Sequence, residues 1–83
     1  MPRDTPQWII ERRRELGERI ADLRTAAGYT QDSLCAVTGL SRSNLQRIES
    51  GEADPRFTDL ALIADTLNEH VSVLGVTVTP RQQ

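Results

Sequence analysis

The chain has 83 residues with one cysteine (Cys35) and one histidine (His70), which supports one domain and argues against an intrachain disulfide or a Cys/His metal site. No run of about 18 apolar residues exists and the N-terminus lacks a signal-peptide pattern, so we expect a cytoplasmic protein with no membrane span and no cofactor. The formal net charge is −2, from 10 basic and 12 acidic residues; every basic residue is arginine, so the placement of the arginines must decide whether nucleic acid binds.

A first helix is predicted between Trp8 and Ala27, after a flexible entry at residues 1–6. Its apolar residues recur at spacings of three, four and seven: Ile9, Leu16, Ile20, Leu23 and Ala27. Gly17 lies inside this helix and costs about 1 kcal/mol relative to alanine. Close packing against another helix is one interpretation of that glycine. Gly28 is predicted to end the helix.

Two short helices are predicted next. Thr30 caps the first of them, which runs from Gln31 to about Val37, and Ser41 caps the other, which runs from Arg42 to about Ser50. Between them lies a turn of about three residues, in which Gly39 supplies a positive φ. Two short helices joined by such a turn are typical of a helix-turn-helix.

The last part of the chain changes from helical to strand-like character. Asp54 and Pro55 predict the start of a fourth helix that runs to about Leu67, with these residues facing inward: Phe57, Leu60, Ile63, Ala64 and Leu67. Residues 71–79 are rich in β-branched side chains and predict a strand with a bend near Gly75. A lone strand has no partner in its own chain, so we predict that it pairs with its copy in a homodimer. The apolar residues of that contact are Leu74, Val76 and Val78.

The sequence closely resembles the Cro/C1-type repressors, also called xenobiotic-response-element type. The resemblance extends from about Leu16 to Leu67, and many positions in one register carry it. The matching segments are Leu23–Gln31, Leu34-Cys35, Gly39–Ser43, Ile48–Gly51, Pro55 and Leu60–Ala64. It implies a mainly α fold, a four-helix repressor-like bundle that binds double-stranded DNA with its third helix in the major groove. The C-terminal strand departs from the fifth helix of many members and is similar to that of antitoxin repressors.

The resemblance also implies roles for individual residues. The base-reading positions are Ser41, Arg42, Ser43 and Arg47. The residues that contact the DNA backbone are Gln31, Asn44, Gln46 and Arg56. Arg24 and Glu49 match a partly buried ion pair that joins the first and third helices. Glu52 and Asp54 are acidic near the expected phosphate path, which would lower nonspecific affinity.

These features predict a homodimeric repressor that reads a palindromic operator. The predicted organisation is a flexible N-terminus at residues 1–6, a DNA-binding domain at 7–69, a dimerisation strand at 70–80 and a tail at 81–83. One alternative is an antitoxin that represses its own operon and binds a toxin protein. Another is an interaction module that has the fold but binds no DNA. An enzyme is not expected, because the sequence has no nucleophile–base pair, metal cluster or phosphate-binding glycine loop.

Overall fold

The computed structural model describes residues 4–68, which form four helices. Their bounds are α1 Gln7–Ala26, α2 Gln31–Thr38, α3 Arg42–Ser50 and α4 Phe57–Thr66. The predicted fold class, a mainly α four-helix bundle with a helix-turn-helix, is confirmed. The predicted strand at residues 71–79, with its contact residues Leu74, Val76 and Val78, lies outside the described residues.

A single apolar cluster holds the four helices together. It takes one residue from α1, one from α2, two from α3 and the rest from α4 and its end: Ile20, Leu34, Leu45, Ile48, Leu60, Ile63, Ala64 and Leu67. α1 packs on α3, and α2 packs on both α3 and α4. Within the described part of the chain, no helix has the length and apolar character that crossing a bilayer requires.

The ends of α2 and α3 are fixed by local hydrogen bonds. The Thr30 side chain accepts a hydrogen bond from the Ser33 amide, and the Ser41 side chain accepts one from the Asn44 amide, so both predicted caps are present. Gly39 ends α2 with a φ of 82°, a left-handed conformation that costs glycine little. The turn that sets α3 against α2 is therefore closed by local interactions.

At Gly17 the backbones of α1 and α3 approach each other closely. A Cβ at this position would lie 2.5 Å from the carbonyl oxygen of Ile48 and closer still to that of Glu49. Only a residue without a side chain permits this contact, which explains why a glycine interrupts the first helix. The packing interpretation made from the sequence is confirmed.

The predicted start of the fourth helix is wrong by two residues. Neither Asp54 nor Pro55 begins α4, whose N-cap is Arg56 in an extended conformation without a side-chain cap. The Ala53 amide donates to the Arg47 carbonyl oxygen at 3.0 Å and closes the end of α3, so residues 54–56 serve as a connection. Phe57, predicted to face inward, is 57% exposed. It is the first residue of α4 and lies beyond the part of the helix that packs on the apolar core, which begins at Leu60.

Candidate nucleic-acid interface

The outward face of α3 and its cap is polar. Leu45 and Ile48 point into the core, and most of the other side chains of the helix face solvent. Asn44 is half-buried, and these predicted DNA-contact residues are exposed: Ser41, Arg42, Ser43, Gln46 and Arg47. The structure therefore places the predicted base-reading positions on one accessible surface.

Arg42 crosses from the start of α3 to the start of α2. Its Nη1 donates to Oδ1 of Asp32 at 2.6 Å, and its Nε donates to Oε1 of Gln31 at 3.1 Å. Both acceptors lie in the first turn of α2. The guanidinium is thus held at a defined place at the front of the helix-turn-helix.

Gln31 connects Arg42 to a more deeply placed ion pair. Its Nε2 donates to Oε1 of Glu49 at 3.0 Å, and Glu49 accepts two hydrogen bonds from Arg24, from Nε at 2.7 Å and from Nη2 at 3.1 Å. Arg24 Nη1 also donates to the carbonyl oxygen of Tyr29 at 2.9 Å. The ion pair expected between Arg24 and Glu49 is therefore present and joins α1 to α3.

A cleft of about 480 Å³ separates the outer face of α3 from the start of α4. Arg47 and Arg56 both line it, and Asp59 lies at its floor with a nearly buried side chain. Asp59 Oδ2 is 3.5 Å from Nδ2 of Asn44 and 3.5 Å from Nε of Arg56, the long limit of a hydrogen bond. Within residues 4–68 the Arg47 guanidinium makes no ion pair. The cleft thus gathers two cations beside one buried carboxylate.

The structure adds two aspartates that the sequence pattern did not single out. Asp32 contacts Arg42 across ten residues of sequence, and Asp59 contacts Asn44 across fifteen. Asp59 could have been suspected from its position three residues after Arg56, which is hydrogen-bonding range on a helix. Asp32 gives no such local signal, because its contact depends on how α3 crosses α2.

Cys35 lies on α2, within range of the charges of Asp32, Arg42 and Glu49. Burial, and next the charge of the Asp32 carboxylate, raises the pKa of its thiol. A raised pKa keeps the thiol protonated and unreactive near neutral pH. Within the described part of the chain, no cluster of three or more His, Cys, Asp or Glu side chains is arranged to hold a metal ion.

Comparison with known proteins places this geometry among regulators. A family model described as "Helix-turn-helix domain" matches residues 15–77. The restriction-modification controller protein C.AhdI from Aeromonas hydrophila is similar with a TM-score of 0.72 and 29% identity, over 75% of this chain and 94% of that one. An HTH_3 family transcriptional regulator from Vibrio cholerae is similar with a TM-score of 0.74 and 27% identity, over 80% of this chain but 37% of that one. No curated protein matches the sequence.

Proposed function

The chain belongs to the helix-turn-helix domain family, and on that premise we propose that it is a sequence-specific DNA-binding transcriptional regulator that acts as a homodimeric repressor. The observation that carries the proposal is the polar face of α3, with Arg42 and Arg47 exposed on it. The two similar structures are a restriction-modification controller protein and a transcriptional regulator, which supports the same class.

The roles follow from the chemistry of each side chain. Arg42 and Arg47 can each donate two parallel hydrogen bonds to N7 and O6 of a guanine in the major groove. Ser41 and Ser43 flank Arg42 and bring short hydroxyl groups to the same surface. The residues proposed to contact the DNA backbone are Gln31, Asn44, Gln46 and Arg56. In this assignment the backbone contacts fix the position of α3, and its arginines and the two serines read sequence.

The first experiment tests DNA binding and the role of Arg42. Selection from random duplexes with the full-length protein yields an operator, whose affinity is then measured at several salt concentrations. Arg42→Ala is expected to lose about 1–3 kcal/mol of operator affinity if Arg42 reads a base. Arg19→Ala is the control, because Arg19 lies on α1 beside Glu18 and Asp22 rather than on α3. An unchanged operator affinity for Arg42→Ala at fixed salt would contradict the assignment.

Dimerisation is proposed to depend on residues 71–79. A dimer would set the two copies of α3 about 34 Å apart, the spacing of successive major grooves on one face of DNA. Exposed apolar side chains on α4, such as Phe57, lie on the helix that leads into this segment. Truncation before Val71 is expected to give a monomer or an unstable protein in sedimentation experiments. A stable dimer of the truncated chain would rule out the strand-pairing proposal.

The other sequence-based alternatives are separated by simple outcomes. Absence of salt-dependent binding to any duplex would favour an interaction module without DNA activity. Co-purification of a second small protein under native expression would favour the antitoxin alternative. A homodimer purified alone, bound to a selected palindrome, is the result expected for the repressor.

A further inference from the structure

We propose that Asp32 sets the selectivity of Arg42 for its operator, by withholding the guanidinium from DNA phosphates while leaving it available to a base edge. The inference rests on the proposed function, since it concerns how a DNA-binding surface discriminates between sequences. It assigns to Asp32 a role in specificity that does not require Asp32 itself to touch DNA.

The contact between the two side chains is short and accessible. Arg42 Nη1 lies 2.6 Å from Oδ1 of Asp32, and the two side chains are 52% and 75% exposed. A charge-assisted hydrogen bond of this length is well formed. Because solvent reaches both partners, the contact can be removed by substitution at little cost to the fold.

Gln31, the second acceptor of Arg42, is itself held by a hydrogen bond to Glu49. Gln31 accepts from Arg42 Nε through its carbonyl oxygen and donates to Glu49 through its amide nitrogen. A reversed amide would place its NH₂ group against the guanidinium and lose both bonds, so this orientation is the one that satisfies the side chain. Gln31 therefore fixes where Arg42 points, and Asp32 supplies the negative charge beside it.

The donors that remain free decide what Arg42 can bind. Two of the five N–H donors of a guanidinium are used by Gln31 and Asp32, and Nη2 has no hydrogen-bond partner within residues 4–68. A guanine edge needs two parallel N–H donors and carries no net charge. The second N–H of Arg42 Nη1, together with Nη2, can therefore donate to a guanine while Asp32 stays bound.

A phosphate is a different case. It offers Arg42 the same kind of anionic oxygen that Asp32 already supplies, so exchange brings no new interaction. The phosphate would also have to approach the Asp32 carboxylate, and like charges repel. Nonspecific DNA, which is held almost entirely through its phosphates, is therefore penalised more than an operator.

Asp32 also lies in the first turn of α2, where a carboxylate is favourable for the helix dipole. That local role predicts a small change in stability when the charge is removed. It predicts no change in the ratio of operator affinity to nonspecific affinity. The ratio therefore separates a selectivity role from a structural one.

The experiment compares Asp32→Asn with two controls, using the selected operator duplex and a scrambled duplex of the same composition. Asparagine keeps an oxygen acceptor for Arg42 but removes the charge. We expect nonspecific affinity to rise about three- to fivefold, with a salt slope steeper by about one phosphate contact. Operator affinity is expected to change less than about twofold.

Glu52→Gln is the matched charge control, because Glu52 is exposed and makes no contact with Arg42. It is expected to raise both affinities by a similar factor and so preserve their ratio. Asp32→Asn in an Arg42→Ala background is the second control, and there too the ratio is expected to stay constant. Thermal unfolding of each variant verifies that it is folded at the assay temperature.

Three results would overturn the inference. An unchanged ratio for Asp32→Asn, with wild-type protein that binds its operator, would remove the selectivity role and leave the proposed function standing. A loss of operator affinity without a gain for scrambled DNA would show that Asp32 positions Arg42 instead of withholding it. Wild-type protein with no salt-dependent binding to any duplex would overturn both the inference and the proposed function.

Discussion

Within residues 4–68, two arginine–carboxylate pairs bridge helices, and they differ in burial rather than in length. Arg24 and Glu49 join α1 to α3 with a 2.7 Å contact, and their side chains are 14% and 8% exposed. Arg42 and Asp32 join α3 to α2 with a 2.6 Å contact, and more than half of each side chain is exposed. The two pairs that bridge helices therefore combine the same chemistry with opposite exposure to solvent.

The difference shows that burial, not distance, decides what an ion pair contributes. Breaking a buried pair strands a charge in a poorly solvated place, which costs about 3–5 kcal/mol. An exposed pair contributes about 0–1 kcal/mol, since water can replace either partner. The buried pair is suited to holding the fold, and the exposed pair can be altered at little cost in stability. Gln31 hydrogen-bonds to Glu49 of the buried pair and to Arg42 of the exposed pair. The buried pair therefore helps to fix the position of Arg42.

The largest effect is expected when the buried pair is broken. Arg24→Met removes the partner of Glu49 and also the hydrogen bond to the Tyr29 carbonyl oxygen. We expect the free energy of unfolding to fall by about 3 kcal/mol or more, measured by urea denaturation.

Two further variants test whether the buried charge is the cause. The double variant Arg24→Met with Glu49→Met replaces the pair with apolar side chains and is expected to recover much of the loss. Asp32→Asn, which breaks the exposed pair, is expected to change stability by less than about 0.5 kcal/mol. Equal losses for Arg24→Met and Asp32→Asn would contradict the comparison.

A second prediction concerns the helix contact that lies beside the buried pair. Gly17→Ala would place a methyl group against the backbone carbonyl oxygens of Ile48 and Glu49, which cannot rotate away. We expect a loss of about 2 kcal/mol in the free energy of unfolding, although alanine normally gains about 1 kcal/mol over glycine in a helix. Glu18→Ala, at the exposed next position, is the control and is expected to stay within about 0.5 kcal/mol. A stabilised Gly17→Ala protein would show that α1 and α3 do not approach as closely as described.

The smallest effect uses Cys35 as a reporter of the exposed pair. Burial and then the Asp32 charge raise the pKa of its thiol, whereas Arg42 lowers it. Asp32→Asn is therefore expected to lower the pKa and to speed alkylation by iodoacetamide at a fixed mildly alkaline pH. Glu52→Gln is the control and is expected to leave the rate unchanged. An unaltered pH profile for Asp32→Asn would place Asp32 too far from Cys35 to matter.

The sign of the accompanying stability change follows from the same shift. The pKa of Cys35 is higher in the folded protein than in the unfolded chain, so the folded state favours the protonated thiol. Its contribution to stability is complete below the unfolded pKa and is lost as the pH rises through the folded pKa. Thermal unfolding of wild type and Cys35→Ala across the alkaline range measures this loss.

The parts of the fold set by local hydrogen bonds could be predicted from the sequence. Thr30 and Ser41 cap helices through amides three residues away, and Gly39 ends a helix through its own backbone freedom. The Asp54-Pro55 signal is equally local, yet α4 begins at Phe57, and residues 54–56 form a connection after the hydrogen bond from the Ala53 amide to the Arg47 carbonyl oxygen. A capping residue type therefore predicts a helix start only where its side chain makes the capping hydrogen bond.

The candidate site shows the same division between local and distant information. The spacing of apolar and polar residues within α3 determines which side chains face solvent, so its exposed residues could be predicted. The contacts of Asp32 with Arg42 and of Asp59 with Asn44 depend on how separate helices cross, which no local pattern encodes. The pairing of Arg24 with Glu49, 25 residues apart, was accessible only through the family resemblance.

Because α1 packs against one end of α3 at Gly17, a small change in this contact moves the other end of α3. α1 rests on the carbonyl oxygens of Ile48 and Glu49, at the C-terminal end of α3, whereas Arg42 stands at the opposite end. Nine residues of helix span about 13 Å, so a tilt of about 5° at the Gly17 contact moves the start of α3 by about 1 Å. If α3 reads DNA as proposed, a displacement of that size misaligns its hydrogen bonds to base edges. Substitutions in α1 that leave every outward-facing residue of α3 unchanged are then expected to alter which operator is preferred.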